Sequence, residues 1–295
     1  TLLQYMLRSH SNISIPTGES HFIIPLIKNK KKYGDLSKHE NVVSILEKMR
    51  QISPEFTDTD LHGLAFDPNQ LATILIQRSD KTMSGLIRAL FEINAEGERK
   101  KRWGEKTPYY ALHMRTIANI YSDVQFIHII RDGRDCALSM LKRKNDLKIF
   151  NSYQAAVTWK KYVQAAQSFG NELGSIQYYE LRYEDLLLNP ESTMQNVCDF
   201  LGEIYEKNVI EFTKAQKGTK QRTPLLSQSL QVSNTNKWKK NMKPFQIRIF
   251  EAECSKELMK NNYYLRYESN KIGKFLKSLY SISYKFQHLY FFIKN

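Results

Sequence analysis

The sequence predicts an α/β fold, a parallel sheet flanked by helices. Three observations point to it. Val124–Ile130 is a short apolar run rich in β-branched residues, and Arg131-Asp132-Gly133 bounds it. Such a continuous run suits a buried parallel strand. Ile176–Leu181 has the same character. Around both runs the apolar residues recur three and four apart, the period of helices. Strands that alternate with helices call for parallel pairing through crossover helices.

The elements follow in chain order. Residues 2–10 read as the end of an amphipathic helix, Ile13–Pro16 as a short extended piece, and Ser20–Lys28 as a second helical pattern. Lys28-Asn29-Lys30-Lys31-Lys32 is a basic, solvated turn. Helices are expected over 39–50, 68–78 and 81–94, so the polar stretch 29–100 has no strand signal and reads as a lid or insert. After the strand ending at Ile130, helices are expected over 132–144 and 152–173. Asn189-Pro190-Glu191 starts another helix running to about 202, because proline is tolerated in a first helical turn. The polar stretch 215–236 reads as a loop, 243–261 as a helix, and the last twenty or so residues as basic and aromatic.

Composition sets the limits. A chain of 295 residues suits one large α/β domain or two small ones. Hydrophobic residues at 41% and aromatics at 12% are enough for a sizeable core and too many for a disordered chain. The net charge of +14 points to an anionic partner: a phosphorylated cofactor, an acidic substrate, a membrane surface or nucleic acid. A solvated basic surface is the plainer reading of the same number. Cys136, Cys198 and Cys254 lie far apart without metal-ligand spacing, so each is expected to be a small buried residue in reducing surroundings. No apolar stretch reaches 18 residues, so no membrane span is expected. Thr1–Leu7 starts inside a helical pattern, so the presence or absence of a signal peptide cannot be read from it.

Five short pieces hold the residues with chemistry. In Phe126–Ser139 a strand delivers Arg131 at its C-terminal end, where ligands of open α/β sheets gather. The next helix aims its N-terminus at an anion, and Ser139 and Arg143, four apart, share one of its faces. An arginine fork, a hydroxyl and a second arginine suit a phosphate monoester. The plainer alternative is that Arg131 and Arg134 only pair with Asp132 and Asp135. Trp103–Pro108 presents Lys106 just before a helix, and Ile15–Phe22 presents Glu19 and His21. Leu181–Leu186 contains Tyr183, and Asn236–Lys239 contains Lys237.

In this order and spacing the pieces, with Thr1–His10 ahead of them, resemble the sulfotransferases that use 3′-phosphoadenosine 5′-phosphosulfate (PAPS). The likeness is to the branch with bacterial enzymes and protein-tyrosine sulfotransferases, and it spans roughly 1–266. It implies a P-loop-type parallel sheet, the sulfotransferase fold. It assigns the 3′-phosphate of PAPS to Arg131, Ser139 and Arg143, and the leaving oxygen to Lys106. Glu19 becomes the catalytic base, with His21 as runner-up. Thr1 becomes the last threonine of the phosphate loop, Tyr183 a contact of the adenine or its phosphate, and Lys237 a phosphate contact. No metal is required. One departure is Asn262, where the family has glycine. A larger one is that the first strand and the P-x-S-G-T-T-like loop should precede Thr1, so residues 1–295 are expected to be a truncated domain, inactive alone.

The expected organisation is a sulfotransferase domain over 1–266, with 29–100 as a helical acceptor-side insert, and a basic-aromatic helix over 267–295. In that last segment Phe275, Leu279, Ile282, Phe286, Leu289 and Ile293 form one stripe. It is read either as peripheral membrane contact through 273–295 or as a helix packed on the domain or on the second subunit of a homodimer. The expected acceptor is a hydroxyl on a glycan, lipid, small alcohol or tyrosine, and the expected location is the cytoplasm, with or without that membrane contact. Two rival readings stand beside it. A P-loop kinase-like nucleotide phosphotransferase would need a strand-end carboxylate for magnesium, and only Asp132 is near. A nucleic-acid binder has nothing but the charge in its favour, so no nucleic-acid partner is expected.

Overall fold

The computed structural model describes residues 1–54, 56, 67–213 and 230–267. These divide into two compact units. One takes Thr1–Gln125 together with the described residues from Pro190 to 213; the other takes Phe126–Asn189 together with 230–267.

The first unit contains α1 (Leu2–Arg8), β1 (Ile13–Ser14), α2 (Ile23–Lys28), α3 (His39–Ile52), α4 (Pro68–Arg78), α5 (Met83–Gly97), β2 (Arg102–Trp103) and α6 (Met114–Ile120), and later the helix Pro190–Leu201. Local chemistry explains the helix starts. Asp67 accepts from the N–H groups of Asn69 and Gln70 with Pro68 in the first turn of α4, and Thr82 accepts from Gly85 N–H at the start of α5. α3 buries Val42, Ile45, Leu46 and Met49, the three-and-four spacing of one helical stripe. β1 and β2 pair in parallel, Ile13 opposite Arg102 and Ser14 opposite Trp103. Phe22, Phe56, Phe91, Trp103 and Tyr121 form a continuous aromatic row, with successive ring centres 4.9–6.0 Å apart. This row fixes β2, and with it the segment that follows, against the helices.

The second unit contains β3 (Phe126–Ile130), α7 (Gly133–Lys142), α8 (Ser152–Leu173), β4 (Tyr178–Arg182), α9 (Tyr183–Leu188) and α10 (Pro244–Lys260). β3 and β4 pair in parallel from Phe126–Tyr178 to Ile130–Arg182. α8 packs on α7 and α10, and the core holds Ile130, Ala137, Trp159, Val163, Trp238, Ile247, Phe250, Cys254 and Leu258. Two close approaches specify glycine. A Cβ at Gly133 would lie 2.6 Å from Trp159 and Phe250, and one at Gly170 would lie 2.4 Å from the Tyr178 ring.

The α/β class with parallel strands and flanking helices is as expected. The expected helix over 152–173 is α8, and the one over 243–261 is α10. Two details differ. The strands form two separate parallel pairs among the described residues. Residues 126–129 of β3 are half-buried and only Ile130 is buried, because β3 has a paired neighbour on one side only. The expected loop over 215–236 lies outside the described residues except for 230–236, where Val232–Asn234 form a 3₁₀ turn. The stripe over 273–295 lies outside them altogether.

Candidate active site

In the first unit the Ile15–Phe22 segment and the segment after β2 bring three of the expected residues together. Lys106 Nζ donates to Glu19 Oε1 at 2.5 Å, and the His21 ring nitrogen Nε2 is 3.1 Å from Glu19 Oε2. All three side chains keep a quarter to a half of their surface exposed, so the group opens to solvent. His21 adopts φ 36, a left-handed conformation that non-glycine residues rarely take. Phe22 N–H closes the turn around it by donating to the Ser20 carbonyl. Thr1 precedes α1, and its backbone nitrogen is within electrostatic reach of Lys106 and Glu19.

The support beneath this group is polar and was missed from sequence. Glu105 Oε1 accepts from Ser20 N–H at 3.3 Å, from Ser20 Oγ at 2.9 Å and from the Thr107 hydroxyl. Ser20 Oγ also meets Tyr110 Oη at 2.9 Å. Burial pushes the Glu105 carboxyl up to about 7, against the hydrogen bonds from Thr107 and Ser20 and the charge of Lys106.

In the second unit Arg131 directly follows β3, is partly exposed, and places Nη2 3.8 Å from the buried Asp135 carboxylate. Its guanidinium lies 4.6 Å above the Tyr183 ring, and Nη2 donates to the Asn234 carbonyl at 2.6 Å. Its Nε has no acceptor among the described residues. Asn234 joins a third expected residue, because Lys237 Nζ donates to its Oδ1 at 2.6 Å. Arg131, Tyr183 and Lys237 therefore form one cationic-aromatic group around Asn234, which sequence reasoning did not single out. Ser139 lies exposed on α7, and exposed Arg143 follows that helix with its guanidinium 3.5 Å from Asp146.

Arg134 behaves differently from Arg131. It is buried, makes paired bonds to Asp132 at 3.0 and 2.8 Å, reaches Glu251 at 2.5 Å and the Tyr264 carbonyl at 2.9 Å, and stacks 3.7 Å over Trp238. A cavity of about 270 Å³ beside it is lined by Asp132, Arg182, Glu184, Trp238 and Tyr263, among others. Asp132 also caps α7 through Arg134 N–H, so both of its oxygens are engaged. The carboxylate at the end of β3 that the magnesium-dependent rival would use is therefore already committed to Arg134. Among the described residues no group of three or more His, Cys, Asp or Glu side chains could hold a metal ion, and no helix is long and apolar enough to cross a membrane. Cys198 and Cys254 are buried and Cys136 half-buried; burial pushes the Cys136 thiol up to about 12, so it stays protonated.

The class of protein follows from comparison with known chains. The sequence profile described as "Sulfotransferase family" matches residues 1–207, and the chain belongs to that family. In fold it is similar to the "Sulfotransferase Domain from the Curacin Biosynthetic Pathway", with a TM-score of 0.58 at 19% identity over 90% of this chain and 93% of that one. More particularly, it is similar to "Protein-tyrosine sulfotransferase 2" of Gallus gallus, 26% identical over 71% of this chain and 50% of the relative. It is also similar to the "Putative protein-tyrosine sulfotransferase" of Caenorhabditis briggsae, 29% identical over 44% of this chain and 47% of the relative. The chain thus spans about half the length of the curated relatives it matches.

Proposed function

We propose that this chain transfers a sulfuryl group from PAPS to an acceptor hydroxyl. The observation that carries the reading is the Glu19–Lys106 pair at 2.5 Å, within the stretch that matches the family. The acceptor oxygen attacks sulfur, the bond from sulfur to the phosphate-bridging oxygen breaks, and adenosine 3′,5′-bisphosphate leaves. The acceptor's proton passes to Glu19, with His21 as the alternative base. Lys106 supplies positive charge to the leaving oxygen. Arg131, Ser139 and Arg143 grip the 3′-phosphate, Tyr183 flanks the adenine side and Lys237 adds charge. Support for this side is the partly exposed Arg131 guanidinium at the end of β3, stacked on the Tyr183 ring. Among glycan, lipid, small alcohol and tyrosine, the names of the curated relatives favour the tyrosine phenol as acceptor. Cytoplasmic location, membrane contact through 273–295 and a homodimer remain part of the proposal, to be tested by cell fractionation, vesicle flotation and light scattering.

Two measurements test the reaction, on protein expressed from its complete reading frame. Calorimetry is expected to show adenosine 3′,5′-bisphosphate binding far more tightly than AMP, and Arg131→Ala weakening it by about 1.5–3 kcal/mol. Equal affinity for the two nucleotides overturns the assignment. With sulfur-labelled PAPS and a panel of the four acceptor classes, Glu19→Gln is expected to lower turnover by roughly 10²–10⁴ while bisphosphate affinity holds. Near-normal turnover would move the role of base to His21.

A further inference from the structure

Glu105 takes no part in the reaction just described, yet it joins the two segments that do. It directly precedes Lys106, and its Oε1 accepts from both the backbone and the hydroxyl of Ser20, which directly follows Glu19. Every polar atom of Ser20 is engaged, and the residue is fully buried. Its N–H also donates to Thr107 Oγ1 at 2.9 Å, its hydroxyl meets Tyr110, and its carbonyl accepts from the Ser53 hydroxyl and Phe22 N–H. Tyr110 Oη in turn accepts from Ile23 N–H at 3.1 Å, anchoring the start of α2. Nothing on the Ser20 side is left free to adjust if Glu105 moves.

We propose that Glu105 is a positioning residue whose carboxylate clamps the Glu19 segment to the Lys106 segment and so sets where that pair meets the reacting atoms. The inference rests on the roles of Glu19 and Lys106 given above and extends them. A displacement of about 1 Å in such a group costs roughly 10²-fold in rate. The groups facing the carboxyl are Ser20, Thr107, Tyr110 and the charge of Lys106. Burial pushes the carboxyl up to about 7, so the clamp is anionic above neutrality and neutral below it. An anionic acceptor holds the Ser20 and Thr107 donors more strongly than a neutral one. Turnover should therefore rise as pH passes through about 7.

The test compares Glu105→Ala, Glu105→Gln and Ser20→Ala in protein expressed from its complete reading frame. Glu105→Ala and Ser20→Ala should lower kcat about 10- to 100-fold, with KM for PAPS within about twofold. Glu105→Gln, which keeps the Oε1 acceptor but cannot ionise, should match the wild type near pH 6 and lack its rise through neutrality. A readout without turnover is the labelling of Lys106 by an amine-reactive reagent, read by mass spectrometry. It should increase several-fold in Glu105→Ala and Ser20→Ala. Wild-type kcat and labelling in Glu105→Ala overturn the proposal, as does a Glu105→Gln enzyme equally impaired at every pH. Inactive Glu19→Gln beside normal Glu105→Ala sinks this inference alone. Fully active Glu19→Gln sinks the reaction roles instead, and the labelling result still decides the clamp.

Discussion

Arg134→Ala offers the sharpest test of how the Arg131-Asp132-Gly133-Arg134 turn is built. The Arg134 side chain is 2% exposed and neutralises Asp132 and Glu251, both nearly as buried. Removing it leaves two buried carboxylates without a cation, which costs about 3–5 kcal/mol. The stacking on Trp238 at 3.7 Å is lost in the same event, so its roughly 2 kcal/mol is not an independent addition. Glu251 keeps the N–H groups of Arg266 and Tyr267, each at 2.9 Å, which places the expectation near the lower end of that range. The assay is urea unfolding at pH 7, followed by tryptophan fluorescence, since Trp159 and Trp238 both lie in this unit. Arg134→Met combined with Glu251→Gln should recover part of the loss by removing one stranded charge. A deficit under about 1 kcal/mol would refute the reasoning. Arg131→Ala removes the cation 3.8 Å from the buried Asp135, so it should cost some stability as well as nucleotide binding, but less than Arg134→Ala because Arg131 is partly exposed and its pair is longer.

Two further outcomes follow from packing and burial. Glu105 has a folded-state pKa raised from 4.5 to about 7, so the folded state holds the proton more tightly and stability falls as pH climbs between those values. Glu105→Gln should therefore match the wild type near pH 4.5 and exceed it above pH 7 by up to roughly 3 kcal/mol in denaturant titrations; equal stability at pH 8 would count against the enclosure of this carboxyl. Gly133→Ala would press a methyl to 2.6 Å from Trp159 and Phe250, and should cost about 1–3 kcal/mol in thermal or urea unfolding, with wild-type stability showing that the approach is looser than described.

Local signals made most of the fold legible. α8 spans the same residues, 152–173, that its apolar spacing predicts, because Trp159, Val163, Ala166 and Gly170 mark one face and Asn151 caps its start. β3 and β4 follow from β-rich runs, and α10, Pro244–Lys260, falls within the helix expected over 243–261. Glu19, His21 and Lys106, singled out through family resemblance, lie together in the first unit. In the second, Arg131 meets Tyr183 and, through Asn234, Lys237, while Ser139 and Arg143, expected beside Arg131, lie exposed on and just after α7. Asn234, which joins two of these, gave no signal because an asparagine in a polar loop is unremarkable until its partners are known.

The two arginines of the turn show where sequence reasoning stops. Both follow a strand, both adjoin an aspartate, and nothing local separates an anion-binding arginine from a structural one. The distinction comes from residues more than a hundred positions away: Glu251, 117 residues on, draws Arg134 inward, while Asn234, 103 residues on, holds Arg131 in a partly exposed position. Glu105 is a parallel case, since its partner Ser20 lies 85 residues earlier. A net charge of +14 says only that cations outnumber anions. What gives a charged side chain its role is whether the fold buries it among fixed partners, as with Arg134 and Glu105, or leaves it partly exposed, as with Arg131.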